Sequence, residues 1–423
     1  MHIRQRSIGL ILLITFVATV SSAQAQWPQW RGPDRIGTVA EANWPDEVSD
    51  ATLKELWRVD LAPGYPGPIV ADGKVFTFAS RDAKDEVVRA FDAKTGEPMW
   101  ETAWQGAMRV PFFAKRNGSW VKSTPATDGE RVYAVGMLDE LVCLDAADGE
   151  IVWRVDFKER FGTQGPSFGQ PCSPLIDGES LYIQAGMSVC KLDKTTGETK
   201  WRVLVDERQM VGGAFSSPVI ASIAGKRQLL VQTRGELCGV DLDSGDVLWR
   251  QSIKAFRGMN ILPPTVVNET DVFTSSYGGG CFMLRITPTD EGGFDVATVW
   301  TNKIEGYMSS PLLIDGHLYM HGRDKKFHCI NAETGETAWS SDETYGEYWS
   351  SVRSGNRILA LGDNGVLRLI DANPDQLDIV SEHKVSTQET WGHLAIVGDV
   401  LFIRELEGLK TLRWSNQAAA RVE

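Results

Sequence analysis

Apolar and polar residues alternate along this chain in short paired runs, each pair folded about a turn that contains glycine. The pairs read "PIVADGKVFTF", "PATDGERVYAV", "PLIDGESLYIQ", "PVIASIAGKRQLLV", "PLLIDGHLYM", "RSGNRILAL" and "HLAIVGDVLFI". Alternation with a period of two, bounded by turn residues, predicts paired β-strands. Behind five of the pairs comes a second signature: "FDAKTGEPMW" ending at Trp100, "LDAADGEIVW" at Trp153, "LDKTTGETKW" at Trp201, "VDLDSGDVLW" at Trp249 and "INAETGETAW" at Trp339. Almost nothing in the chain shows the 3.6-residue period of an amphipathic helix.

The tryptophans that end these motifs set the period. They fall at Trp57, Trp100, Trp153, Trp201, Trp249, Trp300 and Trp339, with spacings of 43, 53, 48, 48, 51 and 39. At Trp300 the turn is expanded, and in "LIDANPDQLDI" the place of the tryptophan is read as Ile379. Units of this length holding four strands each are propeller blades. Inner strands are expected to begin near Pro68, Pro125, Pro174, Pro218, Pro264, Pro311, Ser351 and Gly392. The expected fold is therefore all-β, an eight-bladed β-propeller of four-stranded blades. The last blade lacks an outer strand of its own, and "LKELWRVDL", Leu53 to Leu61, has no blade in front of it, so this N-terminal outer strand closes the ring. The chain divides into residues 1–25, 26–52 as an N-terminal extension, 53–414 as the propeller and 415–423 as a tail.

In each motif the acid or amide can bond nearby backbone, the glycine supplies a positive φ, and the tryptophan can wedge between blades. Trp57, Trp100, Trp153, Trp201, Trp249, Trp300 and Trp339 are thus assigned a structural role, with Asp92, Gly96, Asp145, Gly149, Asp193, Gly197, Asp241, Gly245, Asn331 and Gly335. The motif is not a calcium loop: from Asp241 it has glycine at the fifth position and no bidentate acid at the twelfth.

The first residues have the form of a signal peptide, with Arg4 and Arg6 before an apolar run and Ala23-Gln24-Ala25 as a cleavage site. Its removal takes the formal charge from -13 to -15 (-13 - 2). A periplasmic or secreted acidic monomer is expected, with no membrane span and no cysteine at the cleavage site to carry a lipid. An acidic chain without a basic run does not neutralise phosphates, so nucleic acid is excluded as a partner. Cys143, Cys190, Cys238 and Cys329 each precede the repeated Asp or Asn by two or three residues. Equivalent places in different repeats fit small buried strand residues rather than disulfides.

The five turns of the form Asp/Asn-x-x-x-Gly-x-x-x-Trp resemble the tryptophan-docking repeats of propellers of the pyrroloquinoline-quinone (PQQ) type. The stretch "WPQWRGP", Trp27 to Pro33, is similar to the start of many secreted bacterial proteins with that repeat. The resemblance covers Trp27 to Trp414. It implies one of two activities. Quinoprotein alcohol dehydrogenases of the family stack the quinone between a tryptophan and a ring of two adjacent disulfide-bonded cysteines, with calcium held by a carboxylate and an amide. Non-enzymatic members include the lipoprotein of the outer-membrane barrel assembly machinery. This chain has no Cys-Cys pair, no Cys-x-x-Cys-His haem site and none of the long insertions that wall in the quinone. The expected function is a non-catalytic binding or protein-interaction scaffold, with no cofactor assigned. The alternative is a PQQ-dependent dehydrogenase using PQQ with calcium.

In a propeller the loops entering the inner strands and the turns between second and third strands share one face, around the channel mouth. Those loops carry Phe112, Phe113, Trp120, Phe168, Phe215, Tyr307, Tyr348, Trp349 and Trp391, with Arg109, Arg116, Arg234, Arg257 and Arg323. Lys115, Arg160, Arg208, Glu347 and Asp363 are expected nearby. Aromatic and cationic groups gathered at a channel mouth suit a protein or a small anionic or planar ligand. The histidines His317, His321 and His328 are strand residues without zinc-site spacing, and "FSSP" at Ser216 and Ser217 opens an inner strand and is no nucleophile elbow.

Overall fold

The computed structural model describes residues 26–40, 44–112, 118–207 and 213–415. The expected signal peptide lies outside these residues. Eight antiparallel sheets of four strands form the ring. In the first blade, Ile69–Ala71 is innermost, followed outward by Lys74–Arg81, Asp85–Asp92 and Pro98–Gln105. The outermost strand of the eighth blade is Leu53–Asp60, which pairs with Gly408–Trp414 from the other end of the propeller. Inner strands are short and buried, outer strands half exposed. The apolar residues fall into clusters that lie mostly between neighbouring blades.

The motif turns show how the repeat holds blade to blade. Asp193 Oδ1 accepts the N–H groups of Thr195 and Thr196, each at 3.0 Å, and Gly197 takes φ 71°. Asn331 accepts from Glu333 and Thr334 in the same way, so the turn uses an oxygen, not a charge. Every blade then has a one-residue bulge between its third and fourth strands. The bulge re-aims the next side chain. That side chain is the tryptophan: Trp57, Trp100, Trp153, Trp201 and Trp300 each donate Nε1–H to a carbonyl in the following blade's motif turn. Their rings lie on the glycines of those turns; a Cβ on Gly245 would stand 2.9 Å from Trp201. Trp339 donates likewise to Asn373.

Two positions depart from the expected pattern. Trp249 does not wedge into the next blade but bonds Gln228 of its own at 2.6 Å, over Gly239. The following blade carries the expanded turn and has no motif glycine to receive the ring. In the seventh blade, pairing puts Ser381, not Ile379, at the tryptophan's place opposite Leu369, because the turn is two residues longer. The eighth blade's outer strand comes from the N-terminus, so no motif turn exists there for a tryptophan to meet. Val48 instead donates to Ser381 Oγ at 2.8 Å, and Trp44 packs edge-on against Trp414.

Around the channel, hydroxyl groups at the entries to the inner strands join blades through backbone N–H donors: Gly67 to Thr124, Thr124 to Ser173, Ser173 to Ser217, Trp349 to Ser309 and Leu394 to Ser350. All six cysteines are buried free thiols.

Candidate functional site

The channel is not empty. Residues 27–39 enter it from the motif-turn face: Trp27 bridges Val70, Thr127 donates to the Pro28 carbonyl, and Gly37 and Val39 bond Arg353 across the ring. Gln29 accepts from Ile176. From this segment two side chains reach toward the mouth. Arg31 donates to the Pro311 carbonyl at 3.2 Å, and Arg35 to the Pro174 and Ser173 carbonyls at 2.6 and 3.1 Å. Both guanidinium groups lie over Trp30, and Trp30 meets His393 edge-on. Arg31 and Arg35 are 3% and 2% exposed, and burial pushes both down to about 10. Each also sits in the left-handed region, at φ 62° and 59°. Such a conformation in a residue with a Cβ persists only where its surroundings enforce it. This part of the N-terminal extension, residues 27–39, thus plugs the channel.

At the opposite face, the expected aromatic residues form two groups. Trp120 packs edge-on against Tyr65 at 5.4 Å, Tyr65 against Trp391 at 6.0 Å, and Trp391 stacks on Tyr348 at 6.0 Å. Three of these rings keep partial exposure, while Tyr348 is buried beneath them. Tyr65 was missed, although its loop "GYPGP" stands before an inner strand as the others do. The second group is centred on Tyr277, against Phe256 and Tyr307 at 5.5 Å each, with the Arg323 guanidinium 3.9 Å from its ring. Arg323 is also paired with Glu305 at 2.6 Å. Arg234 lies beside Phe215 and donates to the Arg257 carbonyl at 2.7 Å, and Arg257 covers Phe256.

Other expected members lie elsewhere. Trp349 is 1% exposed, enclosed by His321, Phe327, Tyr345 and Arg368, because its strand begins at Trp349 and not at Ser351. It is a core residue. Phe168 packs partly buried against the cluster between the first two blades. Arg160 is drawn away from the mouth to Gly197 and Thr199 of the next blade. Arg109 is exposed and Phe112 is 81% exposed. Phe113, Lys115, Arg116 and Arg208 lie outside the described residues.

The family model for outer membrane protein assembly factor BamB matches residues 84–341, more than half of the chain. The chain belongs to the BamB family. No curated protein matches it in sequence. Among solved structures, BamB from Moraxella catarrhalis is similar at 15% identity and a TM-score of 0.59, covering 86% of this chain and 98% of that one. A europium-containing methanol dehydrogenase is similar at 11% identity and a TM-score of 0.53, covering 92% and 98%. The quinohemoprotein alcohol dehydrogenase from Comamonas testosteroni gives 13% and 0.52, covering 93% and 81%. At these identities the likeness is one of fold.

The residues of this BamB-family mouth do not fit a quinone and its calcium. No two cysteines are adjacent, so no disulfide ring can form a second face over a planar cofactor. The deeply buried acids near the mouth are already engaged. Glu86 accepts from Met137 N–H at 2.6 Å and Trp104 Nε1–H at 3.0 Å, and Asp139 accepts from Gly186 and Gln170. Glu86, on the third strand of the first blade, and Asp139, in the turn before the third strand of the second, each tie their blade to the next. Burial raises both, Glu86 to about 7. Among the described residues, no group of three or more His, Cys, Asp or Glu side chains converges to hold a cation.

Proposed function

We propose that this chain is an exported, non-catalytic protein-interaction scaffold of the BamB family, acting in the periplasm or after secretion as a monomer. The observation that carries this reading is the pairing of a plugged channel with a partly exposed aromatic platform on the opposite face. A rigid ring closed from behind leaves Trp120, Tyr65 and Trp391 as a surface for a partner, not as the walls of a reaction chamber. Aromatic rings give contact area at small entropic cost, and interfaces concentrate their binding energy in such residues. Tyr307, Arg323, Arg257, Phe215 and Arg234 form a second, more cationic part of the same face. The family's description as outer membrane protein assembly factor BamB suits a partner that is itself a protein.

The test is site-specific photo-crosslinking in the cell envelope. A photoreactive residue at position 391 is expected to yield a discrete protein adduct that Trp120→Ala diminishes, and one at position 198, on the motif-turn face, none. Adducts of equal yield from both faces would defeat the assignment. So would a rise in thermal midpoint on adding PQQ with calcium, since a ligand that binds only the folded state stabilises it.

A further inference from the structure

The plug brings two positive charges into the channel and no negative one. Arg31 and Arg35 each have five N–H donors, and the protein offers them carbonyls alone: Ile36 and Pro311 for Arg31, Pro174 and Ser173 for Arg35. The Nε of both guanidinium groups is buried without any partner. Among the described residues, neither makes a salt bridge, and Asp34, the acid of the same segment, is exposed to solvent. The neighbouring titratable groups are no substitute. His393 is held neutral by burial and by Arg31, and the Tyr348 hydroxyl and Cys172 thiol are held protonated by burial.

Buried charges in proteins are ordinarily paired, since the loss of hydration is not repaid by neutral groups. Other buried charges of this chain are paired in that way: Glu405 has Arg58 at 2.7 Å, and Asp271 has Arg285 at 2.7 Å. Arg404 of the eighth blade is also buried on carbonyls alone, those of Gly408 and Ala62, but the channel differs in that two such like charges share one aromatic ring. That ring, Trp30, itself keeps partial exposure.

We infer that the plugged channel is a binding site for a small oxyanion, inorganic phosphate or a low-molecular-weight carboxylate, held by Arg31 and Arg35 over Trp30. The guanidinium fork matches two oxygens on one centre, which is the chemistry that phosphate and carboxylate share. The anion would supply the missing charge and bond the orphaned Nε–H groups. Its binding would also fix the segment that carries both arginines, so occupancy and closure of the channel would be coupled.

Isothermal titration of the mature full-length chain with phosphate, and separately with citrate, at constant ionic strength in a chloride buffer is the deciding experiment. One saturable site is expected for at least one of the two, and the better binder identifies the natural class. Arg35→Gln should weaken it by at least about tenfold, the scale of losing one charge-assisted contact. Arg35→Lys, which keeps the charge and loses the fork, should fall between. Absence of saturable binding of either anion to the unaltered chain would overturn the inference, as would binding unchanged in Arg35→Gln. Should the variants fail to fold, crystals of the unaltered chain soaked in selenate give the answer by anomalous scattering. A peak within hydrogen-bond distance of Arg31 or Arg35 supports the site, and a channel without one overturns it.

Discussion

Trp201 donates its indole N–H to the carbonyl of Leu242 in the next blade at 3.3 Å, while its ring lies flat against Gly245, which takes φ 80°. Removing the ring leaves an inter-blade void. Trp201→Ala is expected to destabilise by about 3–5 kcal/mol, as a large aromatic truncation does. Gly245→Ala should also destabilise, because its Cβ would meet the ring at 2.9 Å from a positive φ. Urea unfolding followed by tryptophan fluorescence measures both.

The motif acid acts through its oxygen. Since Asn331 makes the same two bonds that Asp193 makes, Asp193→Asn should change stability little, whereas Asp193→Ala should cost about 0.5–1.5 kcal/mol. Denaturation midpoints of the two variants in parallel decide the matter; equal losses would mean that charge, not turn geometry, is what counts.

Glu86 makes stability depend on pH in the direction opposite to an ordinary paired carboxylate. Burial raises it from 4.5 to about 7, so between those values the folded chain holds a proton that the unfolded chain has released. Its contribution is full below the unfolded value and is lost as pH rises through the folded one. Urea midpoints measured at about pH 5 and about pH 8 should differ less in Glu86→Gln than in the unaltered protein. An identical pH dependence in both would remove Glu86 as the cause.

Trp27 is buried at 2% in the cluster that joins the first, seventh and eighth blades. Trp27→Ala should therefore lower the thermal midpoint, with a loss of about 3–5 kcal/mol, although the residue precedes the first blade strand. A midpoint unchanged by this substitution would return the segment to the status of an external extension.

The ring was legible in the sequence because its information is local. Each motif encodes its own turn within ten residues, and the blade count follows from repetition. The plug was not legible, because the contacts that define it join Arg31 to Pro311 and Gly37 to Arg353, and nothing within "WPQWRGP" announces partners so remote. The mouth was half legible. Aromatic loops before inner strands located Trp120 and Trp391, but a strand beginning two residues early drew Trp349 inside. The fate of Trp249 depended on the neighbouring blade's turn, which a motif read in isolation does not include.

Closing the ring with Leu53–Asp60 against Gly408–Trp414 also fixes the order of events in folding. The first strand of the propeller to be synthesised is the last to find its partner, since that partner is the propeller's last strand. Until then the eighth blade lacks its rim, the outer strand waits unpaired, and the plug has only part of its socket. Pairings this distant in sequence are slow to form, and open strand edges invite aggregation meanwhile. A propeller so built cannot close until both strands have been made, and its open edges need protection until then.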